Sequence, residues 1–346
     1  MARADTVVAL TFDDFCLNRL GLPPDRIRTS LGAWLEEDAG HGDATVRAMG
    51  SLAGVLASAG ATPGATAGVA VPRRIRAAVV AKEPCVVAGL PLALETLRIV
   101  HGQAGWPATV GSVGGVAVEC AVAEGHSVAA GTTLLRVTGS ASALLLAERA
   151  CLNLLARLCG IATYTAGVAE RLAACQPAPG RRLPRLLETR KTTPGLKVLE
   201  KYATRAGGAA NHRMGLDAGA MLKENHIRIG QAAGYDLRSL IDAVSAGLPL
   251  LCGLEVEVAT LQEFEIALDS GAAVIMLDNF SLADAAGAVQ LRDRRGSMAL
   301  LEISGNLDRR PLQDIVAIGV DLMSMGALIH QARWTDLSML FEAGAT

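Results

Sequence analysis

The pattern of apolar and polar positions changes character along this chain. Residues 25–38, DRIRTSLGAWLEED, set Ile27, Leu31, Trp34 and Leu35 on one helical face, with Asp25 as capping residue and Gly40 and Gly42 as the stop. Residues 48–73 are rich in Ala, Gly, Ser and Thr and show little period, which predicts an irregular insertion. Ile75–Ala88 is rich in valine and alanine, and Val116, Val118, Cys120 and Val122 alternate with smaller or polar residues, as in half-buried strands. EGHSVAAGTTLLRVTG (124–139) reads as a tight turn followed by a strand. Leu144–Leu158 is a leucine-rich helix ended by Gly160. It carries Arg149, which spacing alone makes a surface arginine on the polar face.

From residue 183 a second regime begins. Short apolar strands at 186–189, 220–223, 250–258, 273–279, 298–305 and 321–326 alternate with helical stretches such as Leu261–Ser270, Leu282–Arg292 and Leu312–Ile318. Such a β/α repeat implies a parallel sheet closed into a barrel. Arg190 and Lys191, Lys223, Glu257, Asp278, Ser304 with Gly305, and Gly326 each fall at the C-terminal end of a predicted strand. In a parallel barrel those ends converge on one mouth, so separation along the chain becomes proximity in space. One polar residue at a strand end is usually a turn former; six successive strands ending this way predict a shared site.

Composition narrows the function. The 346 residues suggest two domains, 51% are hydrophobic, and the formal net charge is −2. The near-neutral charge and the absence of long basic runs argue against nucleic acid as a partner. The sequence offers no membrane-spanning run and no secretory leader pattern at its N-terminus, so a cytoplasmic enzyme is expected. Cys16, Cys85, Cys120, Cys151, Cys159, Cys175 and Cys252 are odd in number, scattered and without a CxxC pair, which predicts free thiols.

Against that background the cations of Glu188–Arg228 are conspicuous. Arg190, Lys191, His212, Arg213 and Lys223 stand in an otherwise apolar, glycine-rich stretch and read as a pocket for a small polyanion. Glu257 and Asp278 could hold ribose hydroxyls, hold Mg²⁺ through water and substrate phosphates, or move protons; a salt bridge to Lys191 or Lys223 is the plainer alternative. The small residues of SGN (304–306) and MGA (325–327) let backbone N–H groups approach a phosphate. His212, His226 and His330 lack zinc-ligand spacing, and Arg213 beside His212 opposes a metal. His212 reads as an anion donor, and His330 as a groove or core histidine. The turn at 124–139 lacks the exposed lysine a biotinyl or lipoyl carrier needs. The residues together suit transfer of a phosphorylated sugar onto an acidic acceptor.

TRKTTPGLKVLEKYA (189–203), AGGAANHRMGL (206–216), LKENHI (222–227), EVEV (255–258), IMLDNF (275–280), EISGN (302–306) and SMGALIH (324–330) closely resemble the quinolinate phosphoribosyltransferases. The likeness extends upstream through LEEDAGHGDAT (35–45), AKEPCVVAGLP (81–91) and LLAERACLNLLARLCGIAT (145–163). It implies a type II phosphoribosyltransferase: an N-terminal open β-sandwich domain (1–160, with the insertion near 48–73), an incomplete parallel α/β barrel (161–330), and a C-terminal segment (331–346) returning to the first domain. It also implies a homodimer, with Arg149 donated across the interface to bind a quinolinate carboxylate. Arg190, His212, Arg213 and Lys223 complete that pocket, and Lys191 also serves the pyrophosphate. Glu257 and Asp278 hold ribose hydroxyls and Mg²⁺. Ser304, Gly305, Gly326 and His330 line the 5′-phosphate site.

The implied reaction joins quinolinate and 5-phosphoribosyl 1-pyrophosphate, with Mg²⁺, to give nicotinate mononucleotide, pyrophosphate and CO₂. The family commonly has Asp at the position of Glu224 and a second glycine at that of Asn306, and the 175–185 loop is longer than usual. These departures leave open a related enzyme acting on another aromatic carboxylate.

Overall fold

The structure, a computed structural model, describes residues 11–46, 74–102 and 116–342. The insertion expected at 48–73 lies outside the described residues. The chain divides into two compact units, Met1–Thr163 with Arg333–Thr346, and Tyr164–Ala332.

In the first unit, the strand Arg74–Ala81 pairs antiparallel with Leu337–Glu342 on one side and Thr133–Ser140 on the other, and Ala117–Cys120 extends the sheet beyond the latter. The strand expected over 75–88 ends at Ala81; Cys85–Val86 pairs separately with Ser127–Val128. Alternate residues Ala77, Val79 and Ala81 are buried with Val137 and Met339 against Leu97 of the helix Leu90–Gly102 and Leu155 of the helix Ala141–Ala173. This is an α/β sandwich: strand alternation supplies one apolar sheet face and helical periodicity supplies the cover.

Two helix boundaries differ from the sequence reading. The helix Pro24–Ala39 opens with Pro24 in its first turn, so Asp25 is a first-turn acid favoured by the helix dipole and not the cap. The leucine-rich helix runs through Gly160 to Ala173. A Cβ at residue 160 would stand 2.0 Å from the Arg333 carbonyl oxygen, so glycine serves a close backbone approach there and does not end the helix.

The second unit is built on six parallel strands in the order Arg185–Leu187, Leu322–Ser324, Leu300–Ser304, Val274–Asp278, Leu254–Val258 and Ala220–Leu222. Leu187 also bridges Ala210, adding a further position at that edge. Among the described residues no ladder joins Ala210 to Ala220–Leu222. Across the gap the Arg213 guanidinium donates to the Gly219 carbonyl at 2.8 Å. The result is an incomplete α/β barrel.

The strand expected over 250–258 begins only at Leu254, because Leu250 and Leu251 lie in a turn and are 99% and 96% exposed. Val256, Val258, Ile275, Leu277, Leu301 and Ile303 are buried in the layer shared with the helices. Period-two alternation therefore turns Glu255, Glu257, Asp278, Glu302 and Ser304 to the opposite, inner face. Thr260 and Ser281 cap the helices that follow two of these strands, accepting from the N–H groups of Glu263 and Asp284. Among the described residues, no helix is long and apolar enough to cross a membrane.

Candidate active site

Each cationic loop of the barrel is held by its own neighbours. After the strand Arg185–Leu187, the Thr189 hydroxyl accepts from the Lys191 N–H at 3.1 Å. The carboxylate of buried Glu200 accepts from both the N–H and the hydroxyl of Thr193 at 2.8 Å. These bonds fix the turn on which Arg190 and Lys191 stand exposed. Lys223 precedes the helix Glu224–Ala232, where its N–H donates to His226 Nδ1 at 3.0 Å, giving His226 a capping role.

Lys223 and the two expected carboxylates meet near the strand ends, with Lys191 on its exposed turn within electrostatic reach. Lys223 Nζ donates to Glu257 Oε2 at 2.5 Å. Asp278 lies close enough to Glu257, Lys223 and Lys191 to feel all three charges: burial and then Glu257 raise its pKa, while Asn279, Lys223 and Lys191 oppose the rise. The expected salt bridge thus exists, between Lys223 and Glu257. It coexists with a mixed-charge cluster able to receive an anionic substrate.

The small residues are placed by close approach. Gly305 has φ +98°, and a Cβ there would lie 2.2 Å from Asn279 Oδ1. Asn279 and Asn306 also adopt positive φ, 56° and 50°. Asparagine tolerates this conformation better than most residues, which accounts for Asn306 standing where the family often has glycine. A Cβ at Gly326 would lie 3.2 Å from the exposed His330 ring and 3.2 Å from Lys191 Cδ, so Gly326, His330 and Lys191 are neighbours. Ser304 and Asp278 are partners across adjacent strands. Glu224, where the family commonly has Asp, is exposed and pairs with Arg228 on its own helix.

Below this mouth lies a layer that the sequence reading missed. Glu188 and Lys201 form an ion pair with both side chains 0% exposed. Glu188 also accepts from Asn211 Nδ2 at 2.7 Å and from the His212 N–H at 3.1 Å, and Lys201 donates to the His212 carbonyl at 3.0 Å. His212 Nε2 faces Glu255 at 3.4 Å and Glu302 at 3.6 Å. Burial opposes charge on His212, but Glu255 and Glu302 outweigh it and draw the pKa upward. Glu302 is raised to about 7, chiefly by burial and then by Glu255. Among the described residues, one oxygen of each carboxylate is buried without a hydrogen-bond partner.

The signal for Glu255 and Glu302 was available. Each stands two residues before a strand-end residue, Glu257 and Ser304 respectively, and so shares its face of the strand. Their ligating atoms and that of His212 lie within 4.8 Å of one another, close enough to surround a cation. Yet His212 Nδ1 accepts the Arg213 N–H at 2.7 Å, which leaves the ring proton on Nε2, toward the carboxylates. That arrangement suits holding protons better than ligating a metal.

Arg213 completes the cationic side; burial and then Arg190 lower its pKa, so the two guanidinium groups are within electrostatic reach of each other. Arg149 belongs to the first unit, on the helix Ala141–Ala173. Its side chain is 68% exposed and, among the described residues, pairs with the neighbouring Glu148 at 3.4 Å. The other expected residues belong to the barrel unit.

An incomplete parallel barrel whose strand ends carry clustered cations, two acidic side chains and glycine turns defines an anion-handling α/β-barrel enzyme. The chain matches the family described as "Quinolinate phosphoribosyl transferase, C-terminal domain" over residues 161–340 and the corresponding N-terminal domain over 43–159. It belongs to the quinolinate phosphoribosyltransferase family. It is 36% identical over 309 residues to a probable nicotinate-nucleotide pyrophosphorylase [carboxylating] of Synechocystis, covering 89% of this chain and 90% of that protein. It is 36% identical to the nicotinate-nucleotide pyrophosphorylase [carboxylating] of Mycobacterium leprae, over 77% of this chain and 86% of the other. The NadC structure from Streptococcus pyogenes superposes with a TM-score of 0.74 at 31% identity, covering 92% of this chain and 96% of that one.

Proposed function

We propose that this enzyme transfers the phosphoribosyl group of 5-phosphoribosyl 1-pyrophosphate to quinolinate with loss of CO₂, giving nicotinate mononucleotide and pyrophosphate. The observation that carries the reading is the meeting of Lys223, Glu257 and Asp278 at the strand ends of the barrel, within electrostatic reach of Lys191, with Arg190, His212 and Arg213 on the neighbouring loops. The relatives' names, nicotinate-nucleotide pyrophosphorylase [carboxylating] and, in Nicotiana tabacum, quinolinate phosphoribosyltransferase [decarboxylating], support the same substrates.

In this reading Arg190, His212, Arg213 and Lys223 bind the acceptor's two carboxylates. Lys191 reaches toward the pyrophosphate, and Ser304, Gly305, Gly326 and His330 receive the 5′-phosphate. Cleavage at the anomeric carbon builds positive charge on the ribose, which Glu257 and Asp278 stabilise once Lys223 turns to the substrate. Holding both reactants in line supplies much of the remaining acceleration. Loss of the 2-carboxylate then leaves an electron pair beside a ring nitrogen that has become positive, and that charge stabilises it.

Mg²⁺ fits here as a partly hydrated ion. Lys223 already covers one oxygen of Glu257, so Glu257 and Asp278 would hold the ion through water and the substrate's oxygens. When bound it neutralises developing charge on the pyrophosphate. The free cysteines suit a reducing compartment and so a cytoplasmic reaction.

The direct test supplies 5-phosphoribosyl 1-pyrophosphate with either quinolinate or nicotinate. Quinolinate alone is expected to release pyrophosphate, with CO₂ matching nicotinate mononucleotide. Equal turnover with nicotinate defeats the assignment. We assign exposed Arg149 to the acceptor pocket of a partner subunit in a homodimer. Arg149→Ala and Lys223→Ala chains, each inactive alone, are then expected to regain part of the activity as mixed dimers; verified heterodimers without recovery exclude that arrangement.

A further inference from the structure

The Glu188–Lys201 pair lies under two loops that carry like charges. Glu188 follows the strand Arg185–Leu187, two residues before Arg190, while Asn211 and His212 lead directly into Arg213. Arg190 and Arg213 repel each other. Like-charged groups within electrostatic reach repel, so a fixed spacing between them calls for a tied backbone. The tie is present: one fully buried carboxylate accepts from Asn211 Nδ2 at 2.7 Å and from the His212 N–H at 3.1 Å, and its ion-pair partner Lys201 donates to the His212 carbonyl at 3.0 Å.

We infer that Glu188 and Lys201 are positioning residues that set the separation of Arg190 from His212 and Arg213, and so give the pocket its preference for two adjacent carboxylates over one. The inference rests on the functional reading above and adds the device that selects the acceptor. Neither residue reaches solvent, so they act through the loops they hold. A bidentate claw discriminates only while its arms keep their spacing. Loosened, it retains attraction for any anion and loses selectivity for the doubly acidic one.

The test is the double variant Glu188→Gln with Lys201→Met, which removes the two buried charges together and avoids stranding either one. Quinolinate and nicotinate binding are measured by calorimetry on the folded full chain, with steady-state KM for both substrates. The expected result is quinolinate affinity reduced tenfold or more, quinolinate-over-nicotinate preference reduced by a similar factor, and KM for 5-phosphoribosyl 1-pyrophosphate within threefold of wild type. A general loss of structure would move both KM values together.

Lys201→Arg keeps the charges but displaces His212, and it carries the same expectation if the double variant does not fold. Unchanged quinolinate preference in either folded variant overturns the brace. Failure of the wild type to use quinolinate at all overturns the functional reading instead, so the two failures are told apart.

Discussion

The barrel's mouth and the layer beneath it handle charge in opposite ways. At the mouth, Arg190, Lys191 and His330 are exposed, and Lys223 is 42% exposed while resting on Glu257. These charges retain solvent and can exchange partners when a substrate arrives. In the layer beneath, Glu188 and Lys201 are sealed from solvent, and Glu302 is 1% exposed. Charges there cannot be released to water, so each depends on a fixed partner or a proton. The mouth recognises, and the lower layer fixes the geometry in which recognition takes place.

The sharpest way to break this contrast is to strand a buried charge. Lys201→Met alone is expected to lose about 3–5 kcal/mol of stability, because Glu188 remains buried without its cation. Adding Glu188→Gln should return most of it; denaturant unfolding of the three proteins measures both changes. At the mouth the effect should fall on rate and leave stability intact. Asp278→Asn is expected to lower kcat/KM by about 10²–10³ with little change in Tm, if its charge stabilises the ribose in the transition state.

The lower layer also predicts a pH signature. Glu302 has its folded pKa raised to about 7, first by burial and then by Glu255, with His212, Ser324 and Lys223 opposing. Its proton is therefore bound more tightly in the folded state. The stability from that proton is fully present below the unfolded carboxylate pKa and is lost as pH rises to about 7. The stability difference between wild type and Glu302→Gln should shift by about 3 kcal/mol across that window in favour of the variant at higher pH. A difference that stays flat from about pH 4 to about pH 8 contradicts a retained proton. The smallest effect belongs to the exposed Glu224–Arg228 pair, where Glu224→Ala should change stability by less than about 0.5 kcal/mol in the same unfolding assay.

The two layers were unequally readable from the sequence. The strands ending near Asp278 and Ser304 announced themselves through short apolar runs, and the mouth residues stood out as polar groups at the ends of those runs. Glu255 and Glu302 lie inside the runs, where charge is usually read as noise in an apolar strand. Strand alternation assigns them to the inner face, but only the fold brings His212, from another loop, between them. Lys201 was hidden for a different reason: in a short amphipathic helix a lysine suggests solvent, and its burial depends on Glu188 reaching it from a strand end. Gly160 misled because glycine stops helices by its freedom, whereas here it serves by its size. Arg149 would remain an ordinary surface arginine on spacing alone; its proposed role comes from family likeness.

The return of residues from Arg333 onward to the first unit has a consequence for biogenesis. The strand Arg74–Ala81 leaves the ribosome long before Leu337–Glu342, the neighbour that covers one of its edges. Until Leu337–Glu342 has been made and docked, that edge presents unpaired backbone groups to any passing extended chain. A stalled ribosome, or a stop codon just after the barrel, would thus release a product whose aggregation hazard lies in the half made first.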